Sequence, residues 1–476
     1  MEIIISFFAG ILLTSLILLW IIPSFKRNAI RKALKQELFD KPLPLSFHTF
    51  LPDELRRILG ATDPRIYREM DSKLLEELHR LAREKYHLHL QTAIQGVHSD
   101  AEMAIYLKES GILGEMGLNE QEALSKMEGK DVSQLLVPPK EIFTRYHALQ
   151  IPPSPVRYPA EFEPINAVLL GWPIYYPYCW KIHAAFTSEI VSEAKALIIV
   201  PGPAWQKVVE IYLEFQRVNL EKVRFVHIPL DDVWTRDYGP TLVLSGADQH
   251  PVFICNPYVM SYQSYTKLDA EIPQALAQIL NVPAYRLPLV VEGGNLMSDG
   301  QGTMILLESI LEKNPDVGQV KLKRILEQYY GCERLIGFPP LPGELTGHVD
   351  MVVKFANIDT VLVASADQRH PWHDRFDDMA NKLGNTASAN GGKYQVVCLP
   401  IPRLPRESTD VWSYINSLIL NHKVIVPIFG VPEDESAMRI YQDTFEGHEV
   451  VGINFSRYPL GSVHCQSKEL PTAENL

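Results

Sequence analysis

Cysteine is scarce in this chain, and its few copies are far apart. The 476 residues contain five cysteines, an odd number, and no two of them form a Cys-x-x-Cys pair. This spacing argues against a structural zinc site and a disulfide framework, and it fits a reducing compartment. Each thiol is therefore either a packing residue or a chemically active one. The five are Cys179, Cys255, Cys332, Cys398 and Cys465.

Positive charge is also in short supply. The formal net charge is -12, so the chain lacks the basic footprint that non-specific nucleic-acid binding requires. We expect no nucleic-acid partner. An acidic protein is compatible with a small cationic substrate.

Motifs for phosphate and metal binding are missing as well. The glycine-rich segment 291–308 runs into a strand-like stretch rather than a helix, which argues against a dinucleotide site. Its glycines instead favour a tight hairpin and a close approach of the backbone to a bound group. The "HPWHD" stretch (370–374) is interpreted as a loop. We therefore expect no metal and no cofactor.

One long apolar run lies at the N-terminus. Residues 3–22 contain no charged side chain, and about 20 such residues span a bilayer core. A cleaved signal peptide is the alternative, but here the basic residues follow the run instead of preceding it. We therefore predict a transmembrane anchor over 1–25. By the positive-inside rule, the protein is expected to be a single-pass membrane protein with the bulk of its chain in the cytoplasm.

The next part of the chain, 26–150, reads as helical and carries no chemical motif. Leu74, Leu78 and Leu81 share one face of a helix predicted within 71–90, and a second helical stretch covers about 99–128. We interpret this region as a membrane-proximal helical segment of unknown role. A proline-rich linker follows it.

From about 156 to 476, short apolar runs rich in valine and isoleucine alternate with helical stretches, which predicts a mixed α/β domain. Polar or glycine-marked clusters recur at intervals of roughly 50 to 70 residues, a period typical of radially arranged modules that share a centre. A doubly wound sheet is the alternative. The clusters are "GWP" at 171, "WTRDYGP" at 234, "EGGN" at 292, "GHVD" at 347, "SYIN" at 413 and "SVHC" at 462.

Two of these clusters carry a histidine. In "GHVDMVVKF", His348 and Asp350 are two residues apart and would share one face of a strand, which suits either acid–base chemistry or a structural pair. In "GSVHCQSKEL", His464 directly precedes Cys465. As a strand neighbour it should point away from the thiol, so His348 is the better candidate for acid–base chemistry.

Acidic residues complete the candidate set. On a strand, Asp237 of "WTRDYGP" could face a pocket while Arg236 points to the opposite face, although a surface turn is equally open. A thiol, a histidine and several carboxylates suggest covalent catalysis on a cation, because carboxylates match a planar guanidinium bidentately and a nearby cation favours the thiolate. The set comprises Asp237, Glu292, His348, Asp350 and Cys465.

The motifs resemble those of a known family. "PAEFEPINAVLLGWP" (159–173), "WTRDYGP", "EGGNLMSDGQGT", "GHVD" and "SVHCQSKELP" look like the motifs of the bacterial-type peptidyl-arginine deiminase and agmatine deiminase family, in the same order. The resemblance covers about 156–476, which would be the deiminase catalytic domain. It implies a five-bladed pseudo-symmetric α/β propeller with the site on its axis, here preceded by the transmembrane helix and the helical region.

The resemblance also implies roles for individual residues. Cys465 falls on the family's catalytic cysteine, and His348 falls on its catalytic histidine. Asp237 and Asp350 fall on the two acids that bind the guanidinium. The remaining candidates are substrate-binding: Trp234 as a wall of the pocket, Asn416 as the family's site asparagine, and Glu292 and Asn295 as residues that shape the pocket.

The implied reaction is hydrolytic deimination of a guanidinium, in peptidyl-arginine or a related compound, to a ureido product and ammonia. It runs through a covalent cysteine thiouronium intermediate. The substrate stays open between a small guanidino compound and an arginine-containing peptide, because the peptidyl enzyme holds a carboxylate with an arginine pair and the matching stretch 253–267 has no arginine. Agmatine, giving N-carbamoylputrescine, is one alternative. A non-catalytic membrane-tethered binding protein and an amidinotransferase are the others, and the oligomeric state is left open.

Overall fold

The computed structural model describes most of the chain from residue 92 onward. The chain divides into two compact units, with the boundary between Ser125 and Lys126. The predicted anchor over 1–25 and the predicted helix within 71–90 lie outside the described residues, and the predicted domain limits stay predictions. The described residues are 92–94, 96–130, 150–257, 268–344, 346–403, 412–456 and 462–470.

The predicted membrane localisation finds no support in the helices that the structure describes. Over the described ranges, no helix combines the length and the apolar composition needed to cross a bilayer. The longest of them, Trp180–Glu193, has 14 residues, and a helix of that size spans roughly 20 Å of a core that is about 30 Å thick. The single-pass localisation is therefore not supported.

The first unit contains short helices that confirm the helical stretch predicted over 99–128. Helix α1 (Asp100–Glu109) begins at Ser99, whose side chain accepts a hydrogen bond from the N–H of Glu102 and so caps the first turn. Helix α2 (Ile112–Met116) ends at Gly117, which has a φ of 67°. Helix α3 (Glu120–Glu128) crosses the boundary into the second unit.

The second unit alternates strands and helices, as predicted. Central strands such as β2, with the sequence AVLLG, are buried along their whole length, which is why they read as continuous apolar runs. The strands are β1 (Val156–Arg157), β2 (Ala167–Gly171), β3 (Lys195–Val200), β4 (Val223–His227), β5 (Thr241–Ser245), β6 (His250–Cys255), β7 (Ala284–Arg286), β8 (Met297–Ser298), β9 (Thr303–Leu307), β10 (Arg334–Phe338), β11 (Val353–Phe355), β12 (Thr360–Ser365), β13 (Gln395–Pro400), β14 (Leu418–Leu420), β15 (Lys423–Ile428), β16 (Glu449–Asn454) and β17 (Lys468–Leu470). The helices are α4 (Trp180–Glu193), α5 (Pro203–Phe215), α6 (Thr235–Tyr238), α7 (Ile272–Ile279), α8 (Ser309–Lys313), α9 (Gln319–Tyr330), α10 (His373–Gly384) and α11 (Glu433–Thr444).

The strands form five sheets that follow one plan. Each contains an antiparallel pair and a further strand parallel to the second member of that pair. At least one helix connects the two parallel strands, because such a connection must cross from one end of the sheet to the other. This confirms the five-module α/β arrangement. Sheet I holds β17, β2, β3 and β4; sheet II holds β1, β5, β6 and β7; sheet III holds β8 to β10; sheet IV holds β11 to β13; and sheet V holds β14 to β16.

The last strand closes the ring of sheets. After sheet V the chain returns to sheet I, where β17 pairs antiparallel with β2 and Lys468 lies opposite Leu169. The segment just before β17 thereby comes to lie beside the connection between β4 and β5, and the N–H of Arg236 donates to the carbonyl of Cys465 at 3.2 Å. The position of Cys465 near the C-terminus follows from this closure.

Each connection from one sheet to the next carries candidate site residues. Trp234 and Asp237 lie between β4 and β5, Glu292 and Asn295 between β7 and β8, His348 and Asp350 between β10 and β11, Asn416 between β13 and β14, and Cys465 between β16 and β17. The "GWP" cluster is the exception. It ends β2, and the ring of Trp172 packs edge-on against Trp180 and Tyr212.

The run "LPLVV" (287–291) is not the strand that its composition predicts. Strand β7 ends at Arg286, and Leu287, Leu289 and Val291 join a buried cluster with residues of β6, β9 and α9. Pro288 has no N–H for a strand ladder, so this segment fills the core as a connection.

A buried ion pair joins the closing strand to the β4–β5 connection. The guanidinium of Arg236 donates to both carboxylate oxygens of Glu469, with Nη1 at 2.7 Å from Oε2, and its Nε donates to the carbonyl of His464 at 3.2 Å. Both side chains are at least nine-tenths buried. Removing one partner of such a pair leaves an uncompensated charge in a dry environment.

We predict that Glu469→Ala lowers the free energy of unfolding by about 3–5 kcal/mol, because Arg236 loses its buried partner. The matched control is Glu435→Ala, which breaks an Arg–Glu pair with Arg439 on the surface of α11, where both side chains are exposed. Urea unfolding followed by circular dichroism measures both. Equal losses in the two variants would contradict a stabilising role for the buried pair.

Candidate active site

Polar side chains from two segments converge on a glycine of a third. A Cβ atom added to Gly294 would lie 2.7 Å from Nδ1 of His348 and 2.9 Å from Oδ1 of Asp237. It would lie 3.1 Å from Oδ2 of Asp350. The N–H of Gly294 also donates to Oδ1 of Asp237 at 3.0 Å. Only a residue without a side chain permits this approach, as the glycine-rich segment predicts.

Local helical turns, rather than the predicted strands, orient these side chains. Asp237 lies on α6, where neighbouring residues point roughly 100° apart, and Arg236 consequently points to the closing strand. His348 precedes the 3-10 turn Val349–Met351, and Asp350 lies within that turn. The strand geometry predicted for both pairs is therefore wrong. The divergence of Arg236 from Asp237 and the convergence of His348 with Asp350 are as predicted.

His348 lies between two carboxylates. Its Nε2 is 2.7 Å from Oε2 of Glu292, and its Nδ1 is 3.6 Å from Oδ1 of Asp237. Burial lowers the pKa of the imidazole, but Asp237 and Glu292 together outweigh burial and raise the pKa of His348 to about 10. The ring is therefore an imidazolium at neutral pH. Glu292 also accepts a hydrogen bond from Lys313, which favours its ionised form.

Asn416 fixes the position of Cys465. Its Nδ2 donates to Sγ of Cys465 at 3.1 Å, and its Oδ1 accepts from the N–H groups of His464 and Cys465, both at 3.1 Å. Burial, with the negative charges of Asp350 and Asp237, raises the pKa of the Cys465 thiol well above its usual value. The group is therefore a thiol at neutral pH unless positive charge comes near it.

Asp350 offers one carboxylate oxygen to the site. The residue is fully buried, and its Oδ2 lies 2.7 Å from Nδ1 of His464. Its Oδ1 has no hydrogen-bond partner among the described residues. A buried acceptor without a donor costs roughly 1–3 kcal/mol. Oδ1 of Asp350 is therefore placed to receive a donor that enters the site.

Two further predicted residues surround this set. The amide of Asn295 donates to the carbonyl of Leu307 at 2.9 Å and accepts from the N–H groups of Leu307 and Val349 at 2.8 and 3.2 Å. It therefore ties the end of β9 to the segment that carries His348. Trp234 is buried immediately before α6.

The sequence did not identify two residues that contact the candidate site or each other, His464 and Glu161. His464 was expected only to face away from the thiol, but it lies in a turn and its ring contacts Asp350. Glu161 contacts the other side of that ring, with Oε2 at 2.9 Å from Nε2. Glu161 belongs to the "PAEFEP" stretch of the first motif. No spacing along the chain reveals contacts between residues this far apart in sequence.

The geometry agrees with comparisons to known proteins. A sequence model of the Porphyromonas-type peptidyl-arginine deiminase family matches residues 157–471. The chain belongs to this family. The predicted family is therefore confirmed, and so is the predicted enzyme class, a hydrolase that acts on C–N bonds of linear amidines.

Individual relatives agree with this assignment. A protein of Shewanella sp. (strain MR-7), provisionally named an agmatine deiminase, is 27% identical over 355 residues, which cover 66% of this chain and 94% of the relative. The structure of the agmatine deiminase of Enterococcus faecalis matches with a TM-score of 0.61 at 24% identity, covering 69% of this chain and 99% of the other. An agmatine deiminase of C. jejuni matches with a TM-score of 0.57 at 18% identity, covering 67% and 96%. The two structures share the fold.

We predict that Gly294→Ala lowers kcat/KM by about 100-fold or more, because the new methyl group would crowd Asp237, His348 and Asp350 and displace them. The control is Gly392→Ala, where an added Cβ meets nothing within 4 Å. Ammonia release measures activity, and thermal melting verifies that both variants fold. A folded, fully active Gly294→Ala enzyme would show that this space is not used in the reaction.

We predict that inactivation of the free enzyme by iodoacetamide keeps accelerating with pH through pH 9, because the raised pKa of Cys465 leaves little thiolate below that value. Residual activity against time gives the rate at each pH, and peptide mass spectrometry assigns the alkylated cysteine. A rate that reaches its plateau below pH 8 would mean that the free enzyme already holds a thiolate.

Proposed function

We propose that residues 156–476 catalyse hydrolytic deimination of a guanidino compound with Cys465 as the nucleophile. The observation that carries the proposal is the convergence of Asp237, His348 and Asp350 on the backbone of Gly294, where an added Cβ would lie within 3.1 Å of an atom of each. A planar cation with several N–H donors matches this environment of carboxylate acceptors.

Two carboxylates are proposed to hold the guanidinium. Oδ1 of Asp350 lacks a partner among the described residues, and Asp237 is raised in pKa by its burial, so both gain from a cationic donor. Carboxylate–guanidinium hydrogen bonds are charge-assisted and directional. We therefore assign substrate binding to Asp237 and Asp350, with Trp234 as a wall of the pocket.

The bound cation also prepares the nucleophile. Its positive charge offsets the charges of Asp350 and Asp237, which are among the causes that raise the pKa of Cys465. The thiol therefore loses its proton to solvent when the substrate binds. The thiolate then attacks the guanidinium carbon, which forms a C–S bond.

His348 is proposed to act first as an acid and then as a base. As an imidazolium it donates a proton to the departing nitrogen, the C–N bond breaks and ammonia leaves. The covalent thiouronium remains on Cys465. Neutral His348 then accepts one proton from water as that water attacks the same carbon. The C–S bond breaks, the departing sulfur takes the second proton of that water, and the neutral ureido product leaves with the thiol and the imidazolium restored.

The remaining predicted residues support these groups. Asn416 uses both ends of its amide on the segment that contains Cys465, and Asn295 uses its amide on the end of β9 and on Val349, the residue after His348. We propose that both position catalytic groups rather than contact the substrate. Glu292 is proposed to keep His348 protonated and oriented through their hydrogen bond.

Agmatine is the substrate that we propose first. The relatives compared above carry the name agmatine deiminase. The sequence has no arginine between Arg236 and Arg286, so the arginine pair expected for a peptidyl substrate's carboxylate is missing there. Peptidyl-arginine is the second candidate, because the matching family model is named for it.

We predict that Cys465→Ala abolishes ammonia release without loss of folding, since it removes the nucleophile. Cys398→Ala is the matched control, because Cys398 is an exposed thiol on β13 and should not affect turnover. Agmatine, arginine and a peptide with a blocked arginine are assayed for ammonia and for the ureido product.

The substrate panel separates the alternatives. Turnover by Cys465→Ala would refute the nucleophile assignment. Product formed only when an amine is added would indicate an amidinotransferase, and tight binding without turnover in the wild type would indicate a binding protein. Preference for the blocked peptide over agmatine would reverse the substrate order.

A further inference from the structure

We propose that His464 is a positioning residue that holds Asp350 in the orientation needed to bind the guanidinium. This inference rests on the function proposed above. It differs from the role of His348, because His464 acts through Asp350 and not on the reacting atoms.

The first observation is the contact between the two side chains. Nδ1 of His464 lies 2.7 Å from Oδ2 of Asp350, and both residues are almost completely buried. With Oδ2 engaged in this way, the carboxylate cannot rotate freely, and Oδ1 is the oxygen left for the substrate. A bond between an ionised acceptor and a well-placed donor is stronger than a neutral one.

The second observation is that the ring of His464 is held from its other side. Nε2 lies 2.9 Å from Oε2 of Glu161. Glu161 accepts hydrogen bonds from Nζ of Lys354 at 2.6 and 2.8 Å and from the N–H of Ile419 at 3.0 Å. The ring therefore has little freedom to turn away from Asp350.

The contact with Asp350 holds in either charge state of His464. Burial, together with Arg236 and Lys354, lowers the pKa of His464, whereas the hydrogen bond to Asp350 raises it. Both ring nitrogens face carboxylate oxygens. A neutral ring with its proton on Nδ1 donates to Asp350, and so does the imidazolium.

The position of His464 links the proposed nucleophile to a carboxylate that is proposed to bind the substrate. It directly precedes Cys465, and Asn416 accepts from the N–H groups of both residues. One short segment therefore delivers the nucleophile and fixes a carboxylate that binds the substrate. A shift of this segment would disturb both.

Two substitutions distinguish the loss of the hydrogen bond to Asp350 from a change in side-chain size. His464→Asn keeps an amide N–H near the position of Nδ1, so it can still donate to Asp350. His464→Gln places its amide near Nε2 and loses that donor. We expect His464→Gln to lower kcat/KM by about 10- to 100-fold, mainly through KM, and His464→Asn to recover most of this loss.

The test is steady-state kinetics of each variant on the substrate that the wild type turns over. Thermal melting verifies that each variant folds. The matched control is His227→Asn, because His227 is a buried histidine whose Nε2 bonds to Gln206 away from the site. Its KM should not change. Equal losses in the asparagine and glutamine variants, or wild-type kinetics in both, would overturn the inference.

Folding failure would not leave the inference untested. If His464→Gln does not fold, His464→Asn is compared with Asp350→Ala. An equal loss of kcat/KM in these two variants would overturn the positioning role. A clearly smaller loss in His464→Asn would support it. If the wild type turns over no guanidino compound, the proposed function fails instead. The two failures are therefore distinguishable.

Discussion

The antiparallel pairing of β17 with β2 is the interaction on which the rest of the site depends. It brings the C-terminal segment back to the first sheet and sets Cys465 beside the connection that carries Asp237. The buried pair between Arg236 and Glu469 fixes the same junction electrostatically. Without this closure, the proposed nucleophile would not be held beside Asp237, one of the acids proposed to bind the substrate.

The same arrangement leaves an excess of buried negative charge near Cys465, which a cationic substrate would offset. Asp237, Asp350 and Glu292 are buried close together, and the imidazolium of His348 balances only part of their charge. Burial, together with the negative charges of Asp350 and Asp237, raises the pKa of Cys465 and favours the thiol. In the mechanism proposed above, a bound guanidinium ion reduces the repulsion among the carboxylates and lowers the pKa of the thiol. A reactive thiolate would then form only when substrate is bound.

The sequence predicted the order of the modules and the residues that meet, because buried strands read as apolar runs and polar clusters stand out between them. It did not predict how the side chains are aimed. The stretches around Asp237 and His348 are helical turns, and such short elements follow from packing against other connections rather than from local pattern. The amide contacts of Asn295 and Asn416, and the contact between His464 and Asp350, join distant parts of the chain and leave no trace in spacing. The N-terminal apolar run predicted a membrane localisation that the helices of the described residues do not support.

In the proposed mechanism, different residues carry the chemistry and the choice of substrate. Asp237, His348, Asp350 and Cys465 are proposed to act on the guanidinium group, which agmatine, arginine and peptidyl-arginine share. Residues in these roles would bind every candidate alike and would not discriminate among them. Discrimination requires contacts with the rest of the substrate, where agmatine ends in an amine and arginine carries a carboxylate or a peptide bond. A carboxylate needs a paired cation to enter a buried site, and the stretch after "WTRDYGP" has no arginine to supply one. Under this proposal, substrate choice is set by residues other than Asp237, His348, Asp350 and Cys465.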